Sequence, residues 1–222
     1  MLELGCGTGR LLEALAARGI EVVGIDSAPE MVALARRRLR PYSHAQIVLG
    51  DMSSFALESP IGSAFCAINT IAHLVGEANL ERHLACVARH LRPGGRYLVQ
   101  LELRDPGDPR ARVRPSVWEA QRGDTIVRAT WTVEEIDLPR GEERHRSRLE
   151  VIAGPRAGDV VEDVHVLAAR TPEQWLTALA RSPFRLAACY DGSEPRRPRR
   201  PPDAPGHLLW YELACRVQDS VE

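Results

Sequence analysis

Apolar positions follow two rhythms in the first hundred residues. Met1 to Leu4, Ile20 to Ile25, Gln46 to Leu49, Ala64 to Ile68 and Tyr97 to Leu103 are short and mostly apolar. Such runs are what strands buried on both faces require. Between them the spacing turns helical: Arg10 to Arg18, then Met31, Leu34, Ala35 and Leu39, then Leu80, Leu84, Val87, Ala88 and Leu91. Ser27 stands where it can cap the second helix, Pro29 fits its first turn and Glu30 completes a capping box. Pro93-Gly94-Gly95 stops the third. Strands alternating with helices imply right-handed crossovers, hence an α/β fold with a doubly wound, mostly parallel sheet.

The rhythm then changes. After the linker Arg104 to Pro115, the runs Val117 to Gln121, Thr125 to Ile136, Arg146 to Ala153 and Val160 to Leu167 predict an inserted antiparallel β-meander. A helix starts at Thr171-Pro172-Glu173, and Phe184 to Tyr190 with His207 to Val217 predict a last strand pair. The expected organisation is one domain over 1–222. It has a cofactor-binding core over 1–103, an insert over 116–168 and a final helix and strand pair over 171–217.

Composition narrows the function. With 44% hydrophobic and 27% charged residues and a formal net charge of −1, nothing favours nucleic acid or membrane partners. No apolar run is long enough to span a bilayer, and no basic leader precedes an apolar block. All 29 basic residues are Arg. Without lysine, Schiff-base catalysis and a P-loop lysine are excluded. Cys6, Cys66, Cys86, Cys189 and Cys215 are scattered, with no metal-ligand spacing. Reduced thiols and a cytoplasmic location are the expectation.

Glu3-Leu4-Gly5-Cys6-Gly7-Thr8-Gly9 carries the chemistry. Its glycines turn the chain tightly between strand and helix, where free N–H groups face a ligand. Asp26 ends the second strand, where a carboxylate meets ribose hydroxyls. A dinucleotide site requires a small residue where this chain has Arg10, which disfavours NAD.

ELGCGTG, GIDSAPEMVALAR, GDMSSF and HLRPGGRYLV, in that order, resemble the motifs of class I S-adenosylmethionine-dependent methyltransferases of the small-molecule type. The resemblance implies their Rossmann-like fold, a seven-stranded sheet, and S-adenosylmethionine as cofactor. It implies that Glu3, Gly5, Cys6, Gly7 and Gly9 hold the methionine part, that Asp26 with Ser27 takes the ribose, and that Asp51 with Met52 takes the adenine. The stretch Ser63 to Leu74 resembles the corresponding stretch of methyltransferases that act on small molecules, including those that methylate amino groups of nucleotide-linked amino sugars. Asn69 or Thr70 matches their polar residue after the strand, and Asn69 is assigned to the cofactor. His73 matches their histidine, as a base or an orienting group. Glu102, near the end of the fifth strand, is placed to contact an amine. The acceptor is expected to be a small molecule methylated on N or O.

Three further expectations accompany this reading. The insert serves as a substrate cap or homodimer contact, with Trp118 and Trp131 available to line a pocket or simply to pack. His44, His83, His90, His145, His165 and His207 have no supporting motif and are expected at the surface or in packing. Four arginines in Pro195 to Pro202 suggest nucleic acid, but the acidic neighbours reduce Asp191 to Pro205 to +1 and stacking aromatics are lacking. Only four residues precede Gly5, where the family has a helical segment. A cofactor-binding relative with impaired catalysis is therefore the alternative expectation.

Overall fold

The structure is a computed structural model that describes residues 1–110, 113–191 and 208–216. Its first half runs β1 (Leu2–Leu4), α1 (Arg10–Ala16), β2 (Val22–Asp26), α2 (Pro29–Leu39), β3 (Ala45–Leu49) and β4 (Ile61–Cys66). A 3-10 turn (Thr70–His73), α3 (Glu77–His90) and β5 (Leu91–Glu102) follow. Then come β6 (Ser116–Arg122), β7 (Thr125–Asp137), β8 (Glu142–Ala153), β9 (Val160–Ala168), α4 (Pro172–Arg181), β10 (Phe184–Asp191) and β11 (Leu208–Cys215).

Seven strands form one sheet in the order β10-β11-β5-β4-β1-β2-β3, with β11 antiparallel to both neighbours and the first five strands parallel. The order reverses at β1, which pairs with β2 on one side and β4 on the other. A crevice opens at such a switch point, beyond the carboxyl ends of the strands. Apolar residues cover both faces. Leu12, Ala16, Val32, Ala35 and Leu39 bring α1 and α2 onto one face. On the other, α3 and α4 pack through Leu80, Leu84, Trp175 and Leu179. Gly24 lets α1 settle: a Cβ there would meet Leu12 and the Cys6 sulfur.

Two local expectations are corrected. Ser27 does not cap α2; the N-cap is Ala28, without a side-chain cap bond. Asp26 supplies the acceptor instead, its Oδ1 taking the Ala28 N–H at 2.9 Å. A carboxylate can serve two N–H groups at once, and Gly7 N–H donates to Oδ2 at 2.7 Å. The box predicted for α2 is found at α4. There Thr171 Oγ1 accepts from Gln174 N–H, and the Gln174 side chain accepts from Thr171 N–H. Pro93-Gly94-Gly95, expected to stop α3, lies inside β5 instead: the helix already ends at His90, and Leu91 is paired to Ile61.

The insert is a four-stranded antiparallel sheet in the order β6-β7-β8-β9. Alternation gives it unlike faces. One carries Glu134, Arg144, Arg146, Arg148 and Glu162 as a ladder of ion pairs. The other carries Trp131, His145, His165 and Leu167 over the core, then continues outward through Ala129, Trp118, Leu149 and Val161. The excursion closes where it began, because Arg104 N–H donates to the Arg170 carbonyl at 2.8 Å. Among the described residues no helix is long and apolar enough to cross a membrane, and none of the five cysteines is in a disulfide. His207 and the arginine-rich run Pro195 to Pro202 lie outside the described residues.

Candidate active site

Two cavities meet at the switch point. The smaller, about 230 Å³, is lined by Gly5, Ile25, Asp26, Ser27, Gly50, Met52, Thr70 and His73. The larger, about 500 Å³, lies between the ends of β4 and β5 and the insert. His73 lines both.

Backbone geometry builds the smaller one. Gly5, Gly7 and Gly9 all have positive φ, which glycine adopts without steric penalty. At Gly5 a Cβ would collide with the Thr70 methyl, so the 3-10 turn lies directly on the loop. Beneath it Glu3 is 4% exposed, and its Oε2 is buried with no hydrogen-bond partner. Burial, and then the nearby Asp26, push this carboxyl up to about 8. An orphaned acceptor under a backbone cradle fits a ligand that brings N–H donors. Asp26 keeps lone pairs for further donors after serving Gly7 and Ala28. Asp51 spends Oδ1 on the Ser53 N–H and hydroxyl. Those bonds hold its pKa below the usual carboxylate value. These residues therefore suit an adenosyl ligand with an amino-acid tail.

Not every expected residue reaches that cavity by its side chain. Cys6 packs on the α1 side of the sheet, and burial raises its thiol to about 12. Gly9 packs against Ala35 and Leu39 of α2. Asn69, expected on the cofactor, lines the larger cavity.

The larger cavity depends on a strained corner. Ile68 and Asn69 both have left-handed φ, at 56° and 57°. For a β-branched residue this is a true outlier. β5 holds the corner from both sides. Ile68 N–H donates to Gln100 Oε1 at 2.7 Å, and Asn69 Oδ1 accepts from Glu102 N–H at 3.1 Å. The bend exposes Ile68, turns Asn69 to the cavity and delivers His73 between the two spaces. Burial, followed by His165 and His145 nearby, lowers the His73 pKa, so its imidazole is neutral at pH 7.

Glu102 lines the far wall with Arg104, His145, Trp118 and Trp131. Arg104, His145 and His165 were not singled out as site residues by the sequence reading, since the sheet alone brings them together. Trp131 stacks on His165 at 4.8 Å and donates its indole N–H to His145 Nδ1 at 2.6 Å. His83, expected at the surface or in packing, is fully buried. It lies 2.8 Å from the Met52 carbonyl and 2.7 Å from the Tyr97 hydroxyl, which ties the Asp51–Met52 loop to the core. Burial lowers it to about 4, so it holds this place uncharged. Among the described residues no cluster of metal ligands occurs.

Comparison with known proteins agrees with this geometry. Residues 1–95 match the family model described as a methyltransferase domain. A Streptomyces fradiae dTDP-3-amino-3,6-dideoxy-alpha-D-glucopyranose N,N-dimethyltransferase is 30% identical over 176 residues, 79% of this chain and 66% of that protein. A Saccharopolyspora spinosa dTDP-4-amino-2,3,4,6-tetradeoxy-D-glucose N,N-dimethyltransferase is 32% identical over 100 residues, 45% of this chain and 39% of that protein. The chain thus spans 66% and 39% of the length of these two curated relatives. Among solved structures, Streptomyces venezuelae DesVI superposes with a TM-score of 0.77 at 20% identity, over 97% of this chain and 83% of that one. An S-adenosylmethionine-bound amino pentose methyltransferase of Micromonospora echinaspora gives 0.73 at 22%, over 97% and 82%. With its methyltransferase domain, sheet order and antiparallel insert, the chain has the class I S-adenosylmethionine-dependent methyltransferase fold.

Proposed function

We propose that the protein transfers the methyl group of S-adenosylmethionine to an amine nitrogen of a small molecule. The observation that carries the reading is His73, neutral and shared by both cavities, with the Glu102 carboxylate on the far wall of the larger one. Glu3 and the Gly5–Gly9 backbone would hold the cofactor's amino-acid end, Asp26 and Ser27 the ribose, and Asp51 with Met52 the adenine. The bound cofactor supplies an electrophilic methyl group. Displacement at that carbon needs mainly alignment and exclusion of water. Glu102 orients the acceptor nitrogen, and His73 accepts the proton it sheds, which a neutral imidazole at pH 7 can do. The names of both curated relatives given above, amino-sugar N,N-dimethyltransferases, support nitrogen over oxygen.

The test combines calorimetry with S-adenosylmethionine and an assay using labelled cofactor on dTDP-3-amino-3,6-dideoxy-alpha-D-glucopyranose and a panel of small amines and alcohols. Transfer to nitrogen is expected, and His73→Gln should lower kcat/KM about 100-fold or more. Unchanged activity in that variant removes the base role. Cofactor binding without turnover on any acceptor would leave a binding relative with impaired catalysis. The homodimer expected of the insert belongs to this reading too. Sedimentation velocity tests it, with Leu149→Arg on the exposed apolar rows as the variant that should shift a dimer to monomer.

A further inference from the structure

The wall of the larger cavity is a chain of charged and polar groups running from the core into the insert. Arg104 is 3% exposed. Its Nη1 donates to Glu102 Oε1 at 2.7 Å and its Nε donates to Glu143 Oε2 at 2.7 Å. The other Glu143 oxygen stands 3.0 Å from His145 Nε2, close but poorly aligned for a hydrogen bond. On its far side His145 Nδ1 accepts the Trp131 indole N–H. That bond places the His145 proton on Nε2 and leaves the ring uncharged.

The charges can therefore be counted. Glu143, 2% exposed, is kept ionised by His145 and Arg104 against the effect of burial. Arg104 is the cation between two carboxylates, and its partners hold its pKa up. Within the buried part of the wall, two anions and one guanidinium leave a single negative charge in excess. Arg114 adds a second guanidinium to the lining, but on the exposed rim, where solvent and salt screen it, and it donates to the Val113 carbonyl. His73 is neutral. The excess falls on Glu102, whose side chain is 30% exposed and spends only Oε1 on Arg104. Its backbone is fixed as well, by the Asn69 side chain.

We propose that Arg104 and Glu143 are positioning residues that fix Glu102 and leave the buried part of the wall one negative charge in excess, so that the site selects acceptors arriving as ammonium cations over isosteric alcohols. This deepens the amine reading and rests on the methyltransferase assignment. One buried and one partly exposed anion on a single guanidinium are tolerable because each is hydrogen-bonded to it. A neutral acceptor gains nothing from the excess charge, whereas an ammonium completes it. The Trp118 and Trp131 faces in the same cavity favour a cation too. Once bound, the ammonium passes one proton to His73; its freed lone pair forms the new bond to the methyl carbon as the carbon–sulfur bond breaks, its electron pair staying on sulfur, so that S-adenosylhomocysteine leaves as the neutral thioether.

The test is a pair of isosteric probes, cyclohexylamine and cyclohexanol, with dissociation constants read by tryptophan fluorescence at pH 7 in the presence of S-adenosylhomocysteine. The amine should bind at least about tenfold more tightly than the alcohol. Glu143→Gln, which never touches the probe, should bring the ratio near one, and Glu143→Asp should restore most of it. Glu102→Gln removes the same charge from the opposite end of Arg104 and should act alike, which keeps the test alive if the buried variant fails to fold. Equal binding of the two probes by the wild type, or an undiminished ratio in the neutral variants, overturns the proposal. Failure of S-adenosylhomocysteine to bind would count against the methyltransferase reading alone, because the probe comparison can be made without it.

Discussion

Glu3 is a carboxyl kept neutral by its surroundings. With a pKa near 8 it is mostly protonated at pH 7, and a positively charged ligand group arriving at Oε2 would favour the ionised form. Cofactor binding at pH 7 should therefore release close to one proton. Binding enthalpies in buffers of different ionisation heat should differ accordingly, and the difference should fade above pH 9. No dependence on buffer would place the cofactor's charge elsewhere. Without ligand, the raised pKa favours the fold while Glu3 is neutral. That contribution is complete below 4.5 and is lost as pH rises from there through 8, by about 1.4 kcal/mol per unit. Urea unfolding should show Glu3→Gln ahead of the wild type at pH 8, the gap closing toward pH 4.5. Glu3 was legible in the sequence because it sits in a glycine loop of recognisable spacing, and Asp26 because it ends the second strand. Arg104, Glu143, His145 and His83 were not. His83 meets the Met52 carbonyl 31 residues away, Arg104 and Glu143 pair over 39, and His145 takes the Trp131 indole N–H across the sheet; no local pattern announces such pairs.

At the scale of elements, alternating rhythm located nearly every strand and helix, whereas the ends depended on chemistry that several residues could supply. Ser27 is a good cap by type, yet Asp26 one position earlier reaches the Ala28 N–H and bridges to Gly7 as well. The corner after β4 was invisible for the opposite reason, since isoleucine is among the residues least suited to a left-handed φ. Such strain is on the order of 1–3 kcal/mol. Ile68 is 61% exposed, so glycine there would lose little packing. Ile68→Gly should stabilise the protein by about 1 kcal/mol after the entropy of the extra glycine is deducted, as read from urea unfolding. It should also weaken acceptor binding by loosening the turn that carries His73. A destabilised variant would mean that packing, rather than strain, governs this corner.

At the scale of the molecule, cofactor half and acceptor half are separable. The two hydrophobic clusters that hold the main sheet contain no residue between Leu103 and Trp175. The insert instead contributes a cavity wall and its own buried strip through Ala129, Leu167 and Ala168. Joining Leu103 to Thr171 with a few glycines should therefore leave a cooperatively melting protein. It should bind S-adenosylhomocysteine within about tenfold of the wild type and show no preference between cyclohexylamine and cyclohexanol. Loss of the melting transition would show that the insert is needed for the core.

The backbone bond between Arg104 and Arg170 brings the two ends of the intervening segment together, which makes it a cassette with one doorway. Whatever is spliced in at that doorway meets the same strand ends and the same His73, so exchanging one contiguous stretch of gene should change the acceptor while the cofactor machinery is inherited intact.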